Sequence, residues 1–120
     1  MSRARAQVLI TGGLGQLGTA IAAELDRQTG GEARSYLLKP HDSLDVAQFA
    51  EFKRQLELLK PDVIINTASV SDWRSVALQR ESVWRTMVQG PDNCAKLGAY
   101  LGIPLIHISC HSVFGMGLQP

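Results

Sequence analysis

Three glycines at intervals of three residues follow the first apolar run of this chain. The run Gln7–Thr11 is rich in β-branched and apolar residues and stops at two glycines, which is typical of a buried parallel strand. Gly12, Gly15 and Gly18 lead into Gln16–Thr29, where apolar residues recur at helical spacing. A strand, a glycine turn and a helix in this order favour an α/β fold.

Each glycine of this turn has a physical role. Gly12 permits a tight turn out of the strand, Gly15 removes a Cβ that would keep a phosphate from the backbone, and Gly18 lets the helix pack close to the sheet. The first amides of the helix and its dipole would face an anion. The pattern therefore predicts a nucleotide phosphate site. A glycine-rich loop that binds nothing is the alternative.

The rest of the chain continues the alternation of strands and helices. We predict further strands at 33–38, 62–66 and 105–109. A helix capped by Ser43 or Asp45 precedes the third strand, and a long helical tract interrupted at Gly90-Pro91 precedes the fourth. The pattern predicts a Rossmann-like open parallel sheet with strand order 3-2-1-4 and helices on both faces. Ligands would bind at the carboxyl ends of the strands.

Composition limits the class of protein. With 120 residues, 45% of them hydrophobic, we expect residues 1–120 to form one domain without a second. The net charge of +1 gives no reason to expect binding to nucleic acid. Two cysteines make neither a disulfide framework nor a metal site, and no apolar run is long enough for a membrane span, so we expect a cytoplasmic protein without a metal.

The end of the second strand bears on the choice of dinucleotide. Proteins that bind NAD usually place an acid there for the ribose hydroxyls, whereas a basic residue favours the 2′-phosphate of NADP. Here the segment contains Lys39 and no acid before Asp42, which slightly favours NADP over NAD. An ordinary solvated lysine is the alternative interpretation of Lys39.

Together these motifs resemble the extended short-chain dehydrogenase/reductase superfamily, and most closely its dTDP-4-dehydrorhamnose reductase family. The matching segments run nearly the whole length of the chain. They are the glycine turn 11–18, the segment 43–46, the third strand and its turn 60–68, the helix segment 90–93, and the fourth strand with its turn 106–115.

The resemblance implies a dinucleotide cofactor and hydride transfer to a 4-keto-deoxysugar nucleotide. Asp45 would accept from the adenine amine, the Val46 backbone would complete that contact, and the turn after the third strand would lie beside the phosphates and the nicotinamide ribose. The implied cofactor-binding residues are Gly12, Gly15, Gln16, Leu17, Gly18, Lys39, Asp45, Val46, Thr67, Ala68 and Ser69.

The chain departs from the family pattern at residues that matter for chemistry. Cys110 stands where the family has a Ser or Thr that hydrogen-bonds the substrate carbonyl, and a thiol is a weaker donor. Met87 replaces an asparagine. The family's Tyr-x-x-x-Lys pair is absent from these residues. We therefore expect a cofactor-binding part, truncated relative to the family fold and not catalytic alone. The alternative is a noncatalytic cofactor-sensing or partner-binding module.

The fourth strand carries two further expectations. Placed at a sheet edge, 105–109 would expose unpaired backbone groups and an apolar face, so we expect a homo-oligomer or another strand-pairing partner there. His107 alternates with Ile106 and Ile108, which favours a hydrogen-bonded histidine of the sheet over a metal ligand.

Overall fold

A computed structural model describes residues 6–12, 15–30, 33–37, 46–68 and 78–109. Within these ranges strands and helices alternate along the chain. The strands are β1 Ala6–Thr11, β2 Ala33–Leu37, β3 Val63–Asn66 and β4 Leu105–His107. The helices are α1 Gln16–Thr29, α2 Phe49–Leu59, α3 Arg80–Trp84 and α4 Gly90–Leu101, with a π-helical turn Arg85–Gln89 between α3 and α4. The predicted α/β class with a parallel sheet is confirmed.

The predicted strand order 3-2-1-4 is wrong. The sheet has the order β2-β1-β3-β4, because β3 pairs with the side of β1 that β2 leaves free. Val8 of β1 lies opposite Val63 of β3, and Ile64 of β3 lies opposite Leu105 of β4. The chain therefore adds β2 on one side of β1 and then adds β3 and β4 on the other side. The direction in which strands are added across the sheet reverses between β2 and β3, although all the strands are parallel.

The polar content of β2 fits this order. Val8, Leu9 and Ile10 are consecutive buried residues, so β1 suits the interior of a parallel sheet, where both the predicted and the observed order place it. The sequence of β2 includes Arg34 and Ser35, which suits the edge that β2 occupies. Apolar content therefore indicated which strands are central more reliably than the order of the strands along the chain.

The two faces of the sheet carry separate cores. On one face Val8, Ile10 and Ile65 pack against residues of α1. On the other, residues of β1 and β3 pack against α2, α4 and the segment before α2; this cluster is Leu9, Val46, Phe52, Leu56, Ile64, Cys94 and Leu97. Helices thus cover both faces, as the sequence predicts.

One helix boundary differs from prediction. The residue that precedes α2 is Gln48, not Ser43 or Asp45, and residues 46–48 form a turn before the helix. The predicted boundary at Gly90-Pro91 is confirmed, since the π-helical turn ends at Gln89 and α4 begins at Gly90, with helical backbone on both sides. No helix in the described ranges is both long and apolar enough to cross a membrane.

Candidate functional site

The reversal of strand order places the ends of β1 and β3 side by side. Thr11, the last residue of β1, lies opposite Asn66, the last residue of β3. In an open α/β sheet the two connections that leave such a pair go to opposite faces, so a crevice opens beyond the carboxyl ends of the strands. The glycine turn follows β1 at this point, and Thr67 and Ala68 follow β3.

Gly12 packs directly on the turn after β3. Its φ of 68° lies in the left-handed region, which favours glycine. A Cβ at this position would lie 2.7 Å from the amide nitrogen of Ala68 and 2.8 Å from its Cα. Only a residue without a side chain allows the two backbones to approach this closely.

Thr67 fastens the same two segments by hydrogen bonds. Its amide donates to the carbonyl of Thr11 at 3.2 Å, and its hydroxyl donates to the same carbonyl at 2.6 Å. The hydroxyl also lies 3.3 Å from the carbonyl oxygen of Gly12. The turn after β3 and the start of the glycine turn therefore form one rigid unit.

The first turn of α1 provides donors for an anion. The amide of Gly15 donates to the carbonyl of Gly12 at 3.0 Å, which brings the start of α1 back over the end of β1. The following first-turn amides have no acceptor within the helix, and this turn contains no acidic residue. Gly18 is buried. The positive end of the helix dipole therefore meets no negative side chain of its own turn.

A buried amide joins three strands at the same edge. Asn66 is fully buried; its Oδ1 accepts from the hydroxyl of Thr11, and its Nδ2 lies 3.1 Å from Nδ1 of His107. An amide nitrogen is only a donor, so Nδ1 of His107 takes the place of the acceptor in this contact. His107 is thus bonded within the sheet, but its side chain is exposed.

Val46, a predicted adenine contact, has its side chain inside the protein. It belongs to the core beneath α2 and α4, and its carbonyl accepts from Nδ2 of Asn93 at 2.8 Å. The contact of the Val46 backbone with adenine stays a prediction.

The structure brings together some of the predicted site residues. Gly12, Gly15, Thr67 and Ala68 meet at the ends of β1 and β3, and α1 begins beside them. The roles of Gln16, Leu17 and Gly18 in binding stay predictions. Four predicted residues lie outside the described ranges: Lys39, Asp45, Ser69 and Cys110.

Sequence reasoning did not single out Thr11, Asn66 or Asn93 as site residues. For Thr11 and Asn66 a signal existed, because each is a polar residue that directly ends an apolar strand. Asn93 carries no such signal, since a polar residue in an amphipathic helix is ordinarily assigned to the solvent face.

Cys94 is unsuited to nucleophilic chemistry. Its side chain is fully buried in the core that contains Val46, and this burial raises the pKa of its thiol to about 12. Since the thiolate is the reactive form, Cys94 is inert at neutral pH. Among the described residues no cluster of His, Cys, Asp or Glu could hold a metal ion.

Comparison with known proteins gives a consistent result. The family model described as RmlD substrate binding domain matches residues 6–117. The dTDP-4-dehydrorhamnose reductase of Mycobacterium tuberculosis is 30% identical over 108 residues, a match that covers 90% of this chain and 34% of that protein. The chain therefore spans about a third of the length of its curated relatives.

Solved structures share the fold. A dTDP-4-dehydrorhamnose reductase from Clostridium acetobutylicum matches 95% of this chain and 39% of its own, with a TM-score of 0.83 and 26% identity. The enzyme of that name from Bacillus anthracis, solved in complex with NADP, matches 91% of this chain and 38% of its own, with a TM-score of 0.78 and 24% identity.

Proposed function

This chain belongs to the RmlD substrate binding domain family, and on that premise we propose that it forms the NADP-binding part of a reductase that resembles dTDP-4-dehydrorhamnose reductase. The observation that carries this proposal is the close approach of Gly12 to Ala68 at the reversal of the sheet, because it brings the backbone of the two turns together where ligands of such sheets bind. A pyrophosphate needs such a close approach to main-chain donors.

The described residues fit a dinucleotide. A Cβ at Gly15 would lie 3.3 Å from the carbonyl oxygen of Gly12, which is closer than an ordinary van der Waals contact. We assign the phosphates to the residues of the glycine turn and the start of α1: Gly12, Gly15, Gln16, Leu17 and Gly18. We assign the adenine to Asp45 and Val46, and the nicotinamide ribose to Thr67, Ala68 and Ser69.

The cofactor, when bound, supplies the hydride, and the substrate class proposed from the family is a 4-keto-deoxysugar nucleotide. The residues of this chain bind and orient. Thr67 and Asn66 keep the ends of β1 and β3 together, so the proposed binding surface at these strand ends is already formed before the cofactor binds. A preformed surface avoids part of the entropy cost of ordering on binding.

Proton transfer to the substrate needs a group that these residues do not include. The tyrosines are Tyr36 and Tyr100, and a proline stands four positions after each, where a Tyr-x-x-x-Lys pair requires lysine. We propose that this part binds cofactor and does not reduce a sugar by itself. The replacements at Met87 and Cys110 support a second candidate, a noncatalytic module that senses cofactor or binds a partner.

Titration of the 120-residue chain with NADPH and with NADH tests the binding proposal. We expect enhanced cofactor fluorescence, with tighter binding of NADPH. Lys39→Gln should weaken NADPH and leave NADH unchanged, because only NADPH carries the 2′-phosphate. Lys60→Gln is the matched control: Lys60 follows α2 at the amino edge of the sheet, so the same loss of charge there should alter neither affinity. Absence of binding up to about 1 mM would refute the proposal.

We also propose a cytoplasmic location and strand pairing at β4. Ile106 is half exposed, and among the described residues β3 is the only strand that pairs with β4. An exposed apolar edge of this kind invites another strand. Light scattering should then show mass increasing with concentration, and a constant monomer mass would contradict the pairing.

A further inference from the structure

The first turn of α4 holds the turn before α2 in place. Asn93 Nδ2 donates to the carbonyl of Val46 at 2.8 Å, across a separation of 47 residues. Both residues are 9% exposed, and they lie in a region otherwise built from apolar side chains. The contact is therefore a specific polar link inside a core.

This hydrogen bond gives the Val46 carbonyl a partner that helix and strand hydrogen bonding does not provide. Residues 46–48 belong to neither a strand nor a helix, so the Val46 carbonyl has no ladder partner. A buried carbonyl without a partner destabilises a fold, and the Asn93 amide removes that cost. Asn93 thus selects one backbone conformation for Val46.

Gly90 brings the two segments close enough for this bond. A Cβ at Gly90 would lie 2.7 Å from Cγ2 of Val46, well inside ordinary van der Waals contact. Gly90 is buried and begins α4, three residues before Asn93. Gly90 and Asn93 lie in the same turn of α4, and both contact Val46.

The link lies on the ligand side of the sheet. A helix that connects two parallel strands runs from their carboxyl edge back to their amino edge, so α2 begins at the carboxyl edge. Gly90 and Asn93 lie at the same level, because both contact Val46 just before α2. Ligands of open α/β sheets bind beyond that edge. The side chain and carbonyl of Val46 are engaged by protein, so the adenine contact proposed for its backbone is one made by the N–H.

From this placement we infer that Asn93 is a positioning residue for the adenosine half of the cofactor. It fixes the Val46 backbone where the adenine would contact it, without touching the cofactor. This inference rests on the proposed function, and it goes beyond that proposal by assigning a residue on α4 to one half of the ligand.

The test compares two half-ligands on the 120-residue chain. Adenosine 2′,5′-bisphosphate represents the adenosine half, and reduced nicotinamide mononucleotide represents the other half. Asn93→Asp keeps the shape of the side chain and replaces the donor with an acceptor. We expect the Kd of the bisphosphate to rise about 10-fold, as for loss of one buried hydrogen bond, with no change for the mononucleotide.

Asn66→Asp is the matched control, because Asn66 is the other asparagine of the chain and is also buried. It lies at the ends of β1 and β3, so its substitution should not weaken the bisphosphate selectively. If Asn93→Asp weakens both half-ligands equally, or neither, the inference is wrong. If the unaltered chain binds neither NADPH nor the bisphosphate, the proposed function fails, and the inference with it.

A measurement on the unaltered chain covers the case in which Asn93→Asp does not fold. The amide resonance of Val46 should shift when the bisphosphate binds and stay in place when the mononucleotide binds. An unmoved Val46 amide in a chain saturated with the bisphosphate would overturn the inference.

Discussion

Gly12 and Gly90 make the same kind of contact in two regions of the molecule. At each, a Cβ would approach its nearest neighbour to 2.7 Å, and each glycine brings two segments of the chain together at the carboxyl edge of the sheet. At Gly12 the neighbour is backbone, the Ala68 amide, and φ is positive. At Gly90 the neighbour is a side-chain methyl of Val46, and the backbone is helical.

The difference decides whether another residue can compensate. A collision with backbone cannot be relieved by changing a neighbouring side chain, and a positive φ strains any side chain whatever the space around it. A collision with a side chain disappears when that side chain is shortened. Gly12 is therefore fixed by its own geometry, whereas Gly90 is fixed only as one member of a pair.

Gly12→Ala should have the largest effect. Strain at positive φ and the collision with Ala68 together should lower the free energy of unfolding by about 3 kcal/mol and abolish NADPH binding. Urea denaturation and cofactor titration measure both. Gly30→Ala is the matched control, since Gly30 has a φ of 61° with no atom within 4 Å of its Cβ position. Equal losses at the two positions would show that the contact with Ala68 contributes nothing.

Gly90→Ala should have a smaller effect that a second substitution relieves. Overpacking against Val46 should cost about 2 kcal/mol, and in a Val46→Ala background the same substitution should cost much less. A double-mutant cycle in urea gives the coupling. Gly98→Ala on the same helix is the control, because its Cβ would meet the carbonyl oxygen of Ile103, so Val46→Ala should not relieve it. Additive effects of Gly90→Ala and Val46→Ala would contradict the pairing.

The smallest expected effect is a change in the rate at which the Cys94 thiol is labelled. It shows whether a substitution loosens the core that contains Val46. Because Cys94 lies in the core with Val46, Gly90→Ala should speed its labelling by a thiol reagent, whereas Gly30→Ala should not. A Cys110→Ser background makes Cys94 the single thiol. Equal labelling rates in the two variants would show that the Gly90 contact does not protect this core.

The pKa of Cys94 adds a pH dependence to the same experiment. Burial raises it from an ordinary value of 9.0 to about 12, so the unfolded chain loses this proton first as the pH rises. Relative to Cys94→Ala, the free energy of unfolding should be constant below about pH 9 and should fall between pH 9 and 12. A constant difference over the whole range would show that the thiol is not buried.

The features that could be predicted from the sequence are those set by residues close together along the chain. The turn at Gly12 and the bounds of α1 follow from glycine spacing and helical periodicity within one short segment, and both are as expected. The order of the strands is a property of the whole sheet, and periodicity does not say on which side of β1 the third strand pairs. The available clue was β2, because Arg34 and Ser35 suit the edge strand that it forms better than the interior position that the order 3-2-1-4 gives it.

The contact of Asn93 with Val46 could not have been predicted in this way. The two residues are 47 positions apart, and the helical pattern of α4 would assign an asparagine to the solvent face. Val46 illustrates the same limit. Its apolar side chain predicts burial, whereas its position in the 43–46 segment suggests a ligand, and only the fold shows that the side chain and the carbonyl are both engaged by protein.

The buried amide of Asn66 has a consequence for how the crevice assembles. Its partners Thr11 and His107 lie 55 and 41 residues away along the chain, on opposite neighbouring strands. A slip of β3 by one residue would turn the amide to the other face of the sheet and break both bonds at once. Asn66 therefore favours one register of β3 against both of its neighbouring strands. These bonds form only when three distant segments have met in register, so partly folded chains would lack the site that we propose for the cofactor.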